Sequence, residues 1–124
     1  MCMASIVIVD DNQDSARFLK RLLEFAGHVA TWMPGEAATV EVLKQMRPDL
    51  LVLDVMMPHL SGIDLLKLLR KETPLEGLCV IMMSGVMDLD VQSEAFELGA
   101  LDYIVKDMDW ERSLCRIEQH LRKN

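Results

Sequence analysis

Leu-Leu-Val-Leu-Asp-Val-Met-Met-Pro, residues 50–58, is the stretch that best indicates the fold. Its first four residues are all apolar, which is typical of a β-strand covered on both faces, as in a parallel sheet between two layers of helices. The run ends at Asp54, and Pro58 follows four residues later. Ligands of open α/β sheets bind beside the carboxyl ends of the strands, so Asp54 is a candidate functional residue. On this stretch alone, an acid that only caps the turn before Pro58 is an equally good interpretation.

Similar apolar runs elsewhere in the chain predict four further strands. They are Ser5 to Val9, Val29 to Trp32, Leu78 to Met83 and Leu101 to Val105. Between these runs, apolar residues such as Ala16, Leu19 and Leu23 recur at helical spacing, which indicates amphipathic helices. We expect helices after Asn12, over about 37–46, from Gly62, over Asp88 to Leu98 and from Trp110.

The alternation of strands and helices requires a parallel sheet with right-handed crossovers. We therefore predict an α/β fold, namely a doubly wound five-stranded parallel sheet of order 2-1-3-4-5 with helices on both faces, which is flavodoxin-like. No linker, repeat or low-complexity segment interrupts the chain, so we expect a single domain over residues 1–124.

The net charge of −7 argues against a surface for nucleic acid or anionic membranes, because such surfaces need clustered Lys and Arg. No apolar stretch approaches the roughly 18 residues of a membrane span, and the segment before Val9 is too short and uncharged for a signal peptide. Cys2, Cys79 and Cys115 are too widely spaced to suggest a disulfide framework or a zinc site. We expect a cytoplasmic protein that binds a cation or a basic partner.

Polar residues follow four of the five predicted strands. In the predicted topology these strands end at one edge of the sheet, where the residues that converge are Asp10, Asp11, Asp54, Ser84 and Lys106. Each has a simple structural alternative as a helix cap, a turn residue or a solvated charge. Their joint occurrence at the strand ends favours a shared site.

Three carboxylates in one place repel one another, which raises their pKa values unless a cation is bound. Mg²⁺ accepts a site of carboxylates, a carbonyl and water, and it often completes its shell with a phosphate oxygen. Asp54 can then attack a phosphoryl group, provided that cationic groups neutralise the developing charge. Lys106 supplies a cation, and the Ser84 hydroxyl supplies a hydrogen bond. The pattern predicts Mg²⁺-dependent formation of an aspartyl phosphate.

The chain resembles the receiver domain of two-component response regulators from about Ser5 to about Leu121. The most diagnostic part is Asp-x-x-Met-Pro, starting at Asp54 and followed by Gly62. The resemblance implies that Asp54 is the phosphoacceptor, Asp10 and Asp11 the metal-binding pair, Ser84 the switch hydroxyl and Lys106 the lysine of the family. It also implies that the carbonyl of Met56 completes the metal shell and that the rotamer of Tyr103 is coupled to Ser84.

As a receiver domain, the chain would accept its phosphoryl group from a histidine kinase or a phosphotransfer protein and signal to a downstream target or output domain. It would catalyse only its own phosphorylation and slow dephosphorylation, so we do not expect an enzyme. The resemblance implies a monomer or a weak phosphorylation-dependent dimer. The implied partner surface comprises the last two helices and the fifth strand, with Asp88, Asp90, Glu94, Asp102, Arg112 and Arg116. Ordinary solvation explains its mixed charge equally well.

Two departures from the family pattern affect these expectations. Asp107 follows Lys106 where the family has proline, and a cis bond there would cost about 2.5–4 kcal/mol, so we expect a trans peptide and competition between Asp107 and the site acids for Lys106. Met56 and Val86 stand where polar side chains help to hold the hydrolytic water in the family. We therefore expect slow autodephosphorylation, with packing against a partner as the alternative role of these two residues.

Two other functions fit parts of the sequence. A degenerate receiver would bind proteins without phosphorylation, and Asp107 is the only feature that favours it. A small flavodoxin-like phosphatase would use an aspartyl nucleophile, but Met56 stands where the second, general-acid aspartate is needed.

Overall fold

The structure, a computed structural model, describes residues 3–107 and 109–122. The strands are β1 (Ser5–Val9), β2 (Val29–Met33), β3 (Leu50–Asp54), β4 (Val80–Ser84) and β5 (Asp102–Val105). The helices are α1 (Gln13–Phe25), α2 (Thr39–Met46), α3 (Gly62–Arg70), α4 (Leu89–Glu97) and α5 (Trp110–Arg122), with a 3₁₀ turn at Thr73–Leu75. Cys2 and the predicted domain limits at residues 1 and 124 lie outside the described residues.

The strands form one parallel sheet in the order β2-β1-β3-β4-β5, which confirms the predicted fold and topology. β3 lies at the centre between β1 and β4. Because all strands run in the same direction, the residues that follow β1, β3, β4 and β5 meet at one edge of the sheet.

Successive residues of each strand pack on opposite faces of the sheet. In β3, Leu51 and Leu53 belong to the core cluster formed with α2, α3 and α4, whereas Leu50 and Val52 belong to the cluster formed with α1 and α5. All five residues of β3 are buried. Coverage on both faces is the reason that this strand is apolar without alternation.

Side-chain caps begin several of the helices in the described ranges, and glycine follows two of them. Asn12, Ser61 and Asp88 accept backbone N–H groups at the start of α1, α3 and α4. Gly27 and Gly99, which follow α1 and α4, have φ angles of 98° and 86°, a region that favours glycine. Among the helices in the described ranges, none has the length and hydrophobicity that a bilayer crossing requires.

β4 begins at Val80, two residues later than the predicted start at Leu78. The N–H of Leu78 donates to the carbonyl of Leu75 at 3.1 Å, so this segment closes a turn rather than joining the sheet. The guanidinium of Arg70 also donates to the carbonyls of Leu75, Glu76 and Leu78 at 3.0–3.2 Å. The side chain of Arg70 thus holds residues 75–78 in a turn that precedes β4.

Candidate functional site

Three carboxylates meet at the carboxyl edge of the sheet. Asp10 and Asp11 follow β1 and Asp54 ends β3, and one oxygen from each of them lies within 4.8 Å of the other two. Asp10 and Asp54 are buried, with Asp54 6% exposed, whereas Asp11 is exposed. The acids that the sequence predicted to converge are therefore together, with one member open to solvent.

Lys106 reaches this cluster from the end of β5. Its Nζ donates to Oδ2 of Asp10 at 2.7 Å and to Oδ1 of Asp54 at 3.2 Å. No cis peptide bond occurs in the described ranges, so the bond between Lys106 and Asp107 is trans as predicted. The carboxylate of Asp107 accepts the N–H of Asp109 at 3.1 Å. The expected competition for Lys106 is thus wrong, because Asp107 caps its own loop while Lys106 bonds the site acids.

The surroundings of Asp54 oppose its ionisation. Burial raises the pKa of Asp54 to about 6, with the charge of Lys106 opposing the rise and the charge of Asp10 adding to it. Burial lowers the pKa of Lys106, but its hydrogen bonds and charge interactions with Asp10 and Asp54 outweigh burial and raise that pKa above its usual value. Lys106 therefore remains charged near neutral pH. Asp54 is also mostly ionised at pH 7, but its pKa lies closer to that pH than the pKa of an exposed aspartate does.

Backbone contacts hold Asp10 in place. Its Oδ1 accepts the N–H of Asn12 at 2.9 Å, and its own N–H donates to the carbonyl of Met33 at 3.2 Å. The indole Nε1 of Trp32 donates to the Asp10 carbonyl at 2.8 Å. The sequence pattern predicted Trp32 only as the last residue of the second strand, which extends one residue further, to Met33. The contact with Asp10 was not predicted, because an indole donor at a strand end has no sequence motif.

The Ser84 hydroxyl and the Tyr103 ring converge on the backbone of one residue, Val86. Ser84 is buried, and its Oγ accepts the N–H of Val86 at 3.2 Å. Tyr103 is 2% exposed, and its OH donates to the carbonyl of Val86 at 3.0 Å. Within the described residues the Ser84 hydroxyl has no hydrogen bond to Asp54 or Lys106. The backbone of Val86 therefore connects the Ser84 hydroxyl and the Tyr103 hydroxyl through two hydrogen bonds.

The loop between β3 and α3 is packed tightly against Asp54. A Cβ on Gly62 would overlap the carbonyl oxygen of Asp54 and lie 2.9 Å from the Cα of Val55. The N–H of Gly62 donates to the carbonyl of Val55 at 2.8 Å, which brings the start of α3 back to the end of β3. Met56 is 63% exposed, and its backbone carbonyl accepts no hydrogen bond from any residue in the described ranges. That carbonyl remains available to a ligand.

The donors present fit a hard divalent cation. The described cluster offers carboxylate oxygens only, without the thiolate or imidazole groups that softer metals select. Asp11 is exposed and forms no ion pair in the described structure, so one carboxylate is available to a cation that enters from solvent. Asp10, Asp11, Asp54 and the carbonyl of Met56 are the groups that would hold Mg²⁺.

Part of the implied partner surface is engaged in internal ion pairs. The carboxylate of Asp102 accepts from the guanidinium of Arg116 and lies 3.1 Å from Nε2 of His120. Although burial raises it, the bonds from Arg116 and His120 lower the pKa of Asp102 below its usual value. Asp102 and Arg116 tie β5 to α5, and ordinary solvation therefore does not explain these two charges.

Comparison with known proteins adds independent findings. The response regulator receiver domain family matches residues 6–118. The chain is 34% identical over 112 residues to the DNA-binding transcriptional regulator NtrC of Escherichia coli, covering 90% of this chain and 24% of NtrC. It is 35% identical over 118 residues to the protein RcaC of Microchaete diplosiphon, covering 95% of this chain and 18% of RcaC.

Solved structures agree with the fold. The BeF3-activated receiver domain of Klebsiella pneumoniae RstA superposes with a TM-score of 0.84 at 26% identity, covering 94% of this chain and 97% of that domain. The chemotaxis protein CheY4 of Vibrio cholerae superposes with a TM-score of 0.85 at 21% identity, covering 95% and 98% of the two chains.

The fold and site define a doubly wound α/β domain whose sheet edge carries an acidic cluster paired with a lysine. Within that class, the chain belongs to the receiver domains of two-component response regulators, as the family match over residues 6–118 shows. It spans about a quarter of the length of NtrC and less of RcaC.

Proposed function

We propose that this receiver domain is a phosphorylation switch that accepts a phosphoryl group on Asp54 from a phosphohistidine of a kinase or phosphotransfer protein in the cytoplasm. The observation that carries the proposal is the buried Asp54 carboxylate, held between Lys106 at 3.2 Å and the acids that follow β1. A degenerate receiver would not need this arrangement. Lys106 keeps its place in the site although Asp107 follows it.

The proposed reaction is transfer of a phosphoryl group from nitrogen to oxygen. A carboxylate oxygen of Asp54 attacks phosphorus, the P–N bond breaks, and its electron pair stays on the imidazole nitrogen of the donor, which takes a proton from solvent. Mg²⁺, when bound, would neutralise negative charge on the phosphoryl oxygens. Lys106 supplies a fixed positive charge beside Asp54, and Asp10 keeps Lys106 in this position through the 2.7 Å bond.

The proposed switch element is the chain after β4. The backbone of Val86 is held by Ser84 on one side and Tyr103 on the other. A phosphoryl oxygen on Asp54 would be a new acceptor for the proton of the Ser84 hydroxyl, whose oxygen already accepts the N–H of Val86. A shift of Ser84 toward the phosphoryl group would move Val86, and the carbonyl of Val86 would transmit this movement to Tyr103. The surface formed by α4, β5 and α5 would thereby change for a downstream protein or output domain, or for a second copy in a weak dimer.

The proposed phosphoryl state is long-lived. Met56 and Val86, at the positions from which polar groups would hold water, are 63% and 52% exposed. Neither offers a hydrogen bond to a water that attacks the phosphoryl group. We therefore expect self-catalysed hydrolysis to be slow, and we do not propose any other enzymatic activity.

The proposal is tested by intact mass spectrometry after incubation with phosphoramidate and Mg²⁺. We expect one phosphoryl adduct, which is absent from Asp54→Ala and from protein treated with EDTA. Asp49→Ala is the matched control, because Asp49 precedes β3 at the opposite edge of the sheet and should leave the adduct intact. Absence of an adduct from wild-type protein, or an adduct that persists in Asp54→Ala, refutes the proposal.

A further inference from the structure

The end of β2 holds the main chain of Asp10 from two directions. β2 pairs with β1 so that Trp32 lies opposite Ile8 and Met33 lies opposite Val9. The N–H of Asp10 donates to the carbonyl of Met33 at 3.2 Å, which continues the sheet by one bond. The carbonyl of Asp10 accepts the indole N–H of Trp32 at 2.8 Å, a contact made by a side chain rather than by the sheet.

The carbonyl that Trp32 bonds belongs to the same planar peptide group as the nitrogen of Asp11. Fixing this carbonyl sets the plane of the Asp10–Asp11 peptide and so the direction in which the chain carries the Cα of Asp11. The carboxylate of Asp10 has its own anchors in Asn12 and Lys106. The carboxylate of Asp11 has no hydrogen bond or ion pair among the described residues, so its position depends on the backbone.

We propose that Trp32 is a positioning residue for the cation site, whose indole N–H orients the Asp10–Asp11 peptide and keeps the Asp11 carboxylate beside Asp10 and Asp54. This inference rests on the proposed function, in which the acidic cluster binds a divalent cation. β2, which contributes no acid to the cluster, would thereby affect the affinity of the site for the cation. Groups outside the ligand shell often change metal affinity by orienting the ligands.

Packing is the competing role for Trp32. Its half-buried ring lies against the core cluster formed with α1 and α5, so its removal can lower stability without any effect on the cation. The two roles differ in their consequences. Loss of packing lowers the free energy of unfolding alone, whereas loss of the N–H donor releases the Asp10 carbonyl in a protein that is still folded.

The experiment compares the binding of Mn²⁺, which accepts the same oxygen ligands as Mg²⁺, in wild-type protein and in Trp32→Phe. Electron paramagnetic resonance reports unbound Mn²⁺ directly, and competition with Mg²⁺ then gives the affinity for Mg²⁺. Trp32→Phe keeps an aromatic ring and loses the donor. We expect its Kd for Mn²⁺ to be about three- to tenfold higher than that of the wild type, as the loss of one hydrogen bond to a buried acceptor implies.

Thr39→Val is the matched control for a purely structural effect. The Thr39 hydroxyl is buried and donates to the carbonyl of Pro34 at 3.2 Å, in the loop that follows β2. Its loss removes this hydrogen bond and the one that the N–H of Glu36 donates to the same oxygen at 3.4 Å, both near β2, without touching Asp10. We expect this variant to bind Mn²⁺ with the wild-type Kd, and urea unfolding measures the stability of both variants.

An unchanged Kd in Trp32→Phe, or an equal rise in Thr39→Val, overturns the inference while leaving the proposed function intact. Failure of the wild type to bind Mn²⁺ and Mg²⁺ overturns both. If Trp32→Phe does not fold, the donor is removed by biosynthetic replacement of tryptophan with β-(3-benzothienyl)alanine, which has sulfur in place of the N–H. The Trp110→Phe background limits that replacement to position 32, and the same rise in Kd is expected relative to Trp110→Phe alone.

Discussion

Asp54→Asn is expected to stabilise the cation-free protein at neutral pH. Asp54 is buried, and its pKa is raised from 3.8 to about 6 because burial and Asp10 outweigh the charge of Lys106. The carboxyl group therefore ionises less readily in the folded protein than in the unfolded chain, and its charge at pH 7 costs the folded state free energy. Asparagine has nearly the same shape and no charge, so the substitution removes this cost.

The size of the gain follows from the shift. A rise from 3.8 to about 6 corresponds to about 3 kcal/mol, at roughly 1.36 kcal/mol per pKa unit. Solvent screening at the open side of the cluster reduces the expected gain to about 2 kcal/mol. Because the pKa is higher in the folded state, the folded protein binds more protons between these two pKa values. The deficit of the wild type is thus absent below the lower pKa and complete once the pH exceeds the higher one.

The assay is urea unfolding in EDTA, followed by tryptophan fluorescence over a range of pH. We expect Asp54→Asn to exceed the wild type by about 2 kcal/mol at pH 7 and by less than about 1 kcal/mol at pH 4.5. Saturating Mg²⁺ should reduce the difference at pH 7, because a cation that binds only the folded wild type stabilises it by mass action.

Asp49→Asn is the control variant. The carboxylate of Asp49 accepts the N–H of Ser5 at 2.7 Å, far from the acidic cluster, so this change should lower stability by about 1 kcal/mol. An Asp54→Asn protein no more stable than the wild type at pH 7 refutes the reasoning. A gain of the same size at pH 4.5 and pH 7 also refutes it, since the cause would then not be ionisation.

Three further predictions concern the same edge of the sheet. Gly62→Ala should lower the free energy of unfolding by about 2–4 kcal/mol, because the backbone must shift to admit a Cβ. In the control Gly77→Ala the new Cβ meets nothing within 4 Å, so the free energy of unfolding in the same urea assay should hardly change. Equal losses of stability in the two variants would contradict this account. The rate of phosphorylation by phosphoramidate at sub-saturating Mg²⁺ should fall as the pH drops below about 6, because the protonated carboxyl group of Asp54 is not a nucleophile. A rate that does not change between pH 7 and pH 5 would contradict this prediction. Loss of the phosphoryl adduct, measured by intact mass, should be slow in the wild type and about tenfold faster in Met56→Asn, whose amide can hold a water. The control Met56→Leu should lose the adduct at the wild-type rate. Rapid loss from the wild type would contradict the proposed long lifetime.

The sequence alone determined the fold because the signals for it are local. The apolar run that ends at Asp54 predicts a strand covered on both faces, and β3 is buried along its whole length. The helices expected after Asn12 and over Asp88 to Leu98 correspond to α1 and α4. The alternation of such elements admits few topologies, so the strand order and the edge at which the acids meet also followed from the sequence.

Contacts between distant residues were decided only by the tertiary structure. Trp32 reaches Asp10 across 22 positions of sequence, and Arg70 reaches the carbonyl of Leu98 across 28. Neither contact has a sequence pattern, because a backbone carbonyl is the acceptor and any residue supplies one. The start of β4 was misplaced for this reason, because the carbonyls that Arg70 bonds before the strand have no sequence pattern. The expected competition of Asp107 for Lys106 failed for a local reason, because Asp107 accepts the N–H of Asp109 in its own loop.

Patterning thus predicts which residues are buried and which strand ends share an edge, since burial of apolar surface dominates those choices. It does not predict which donor finds which acceptor. That choice depends on side-chain directions and on distances of about 3 Å, which are set only when the elements have packed.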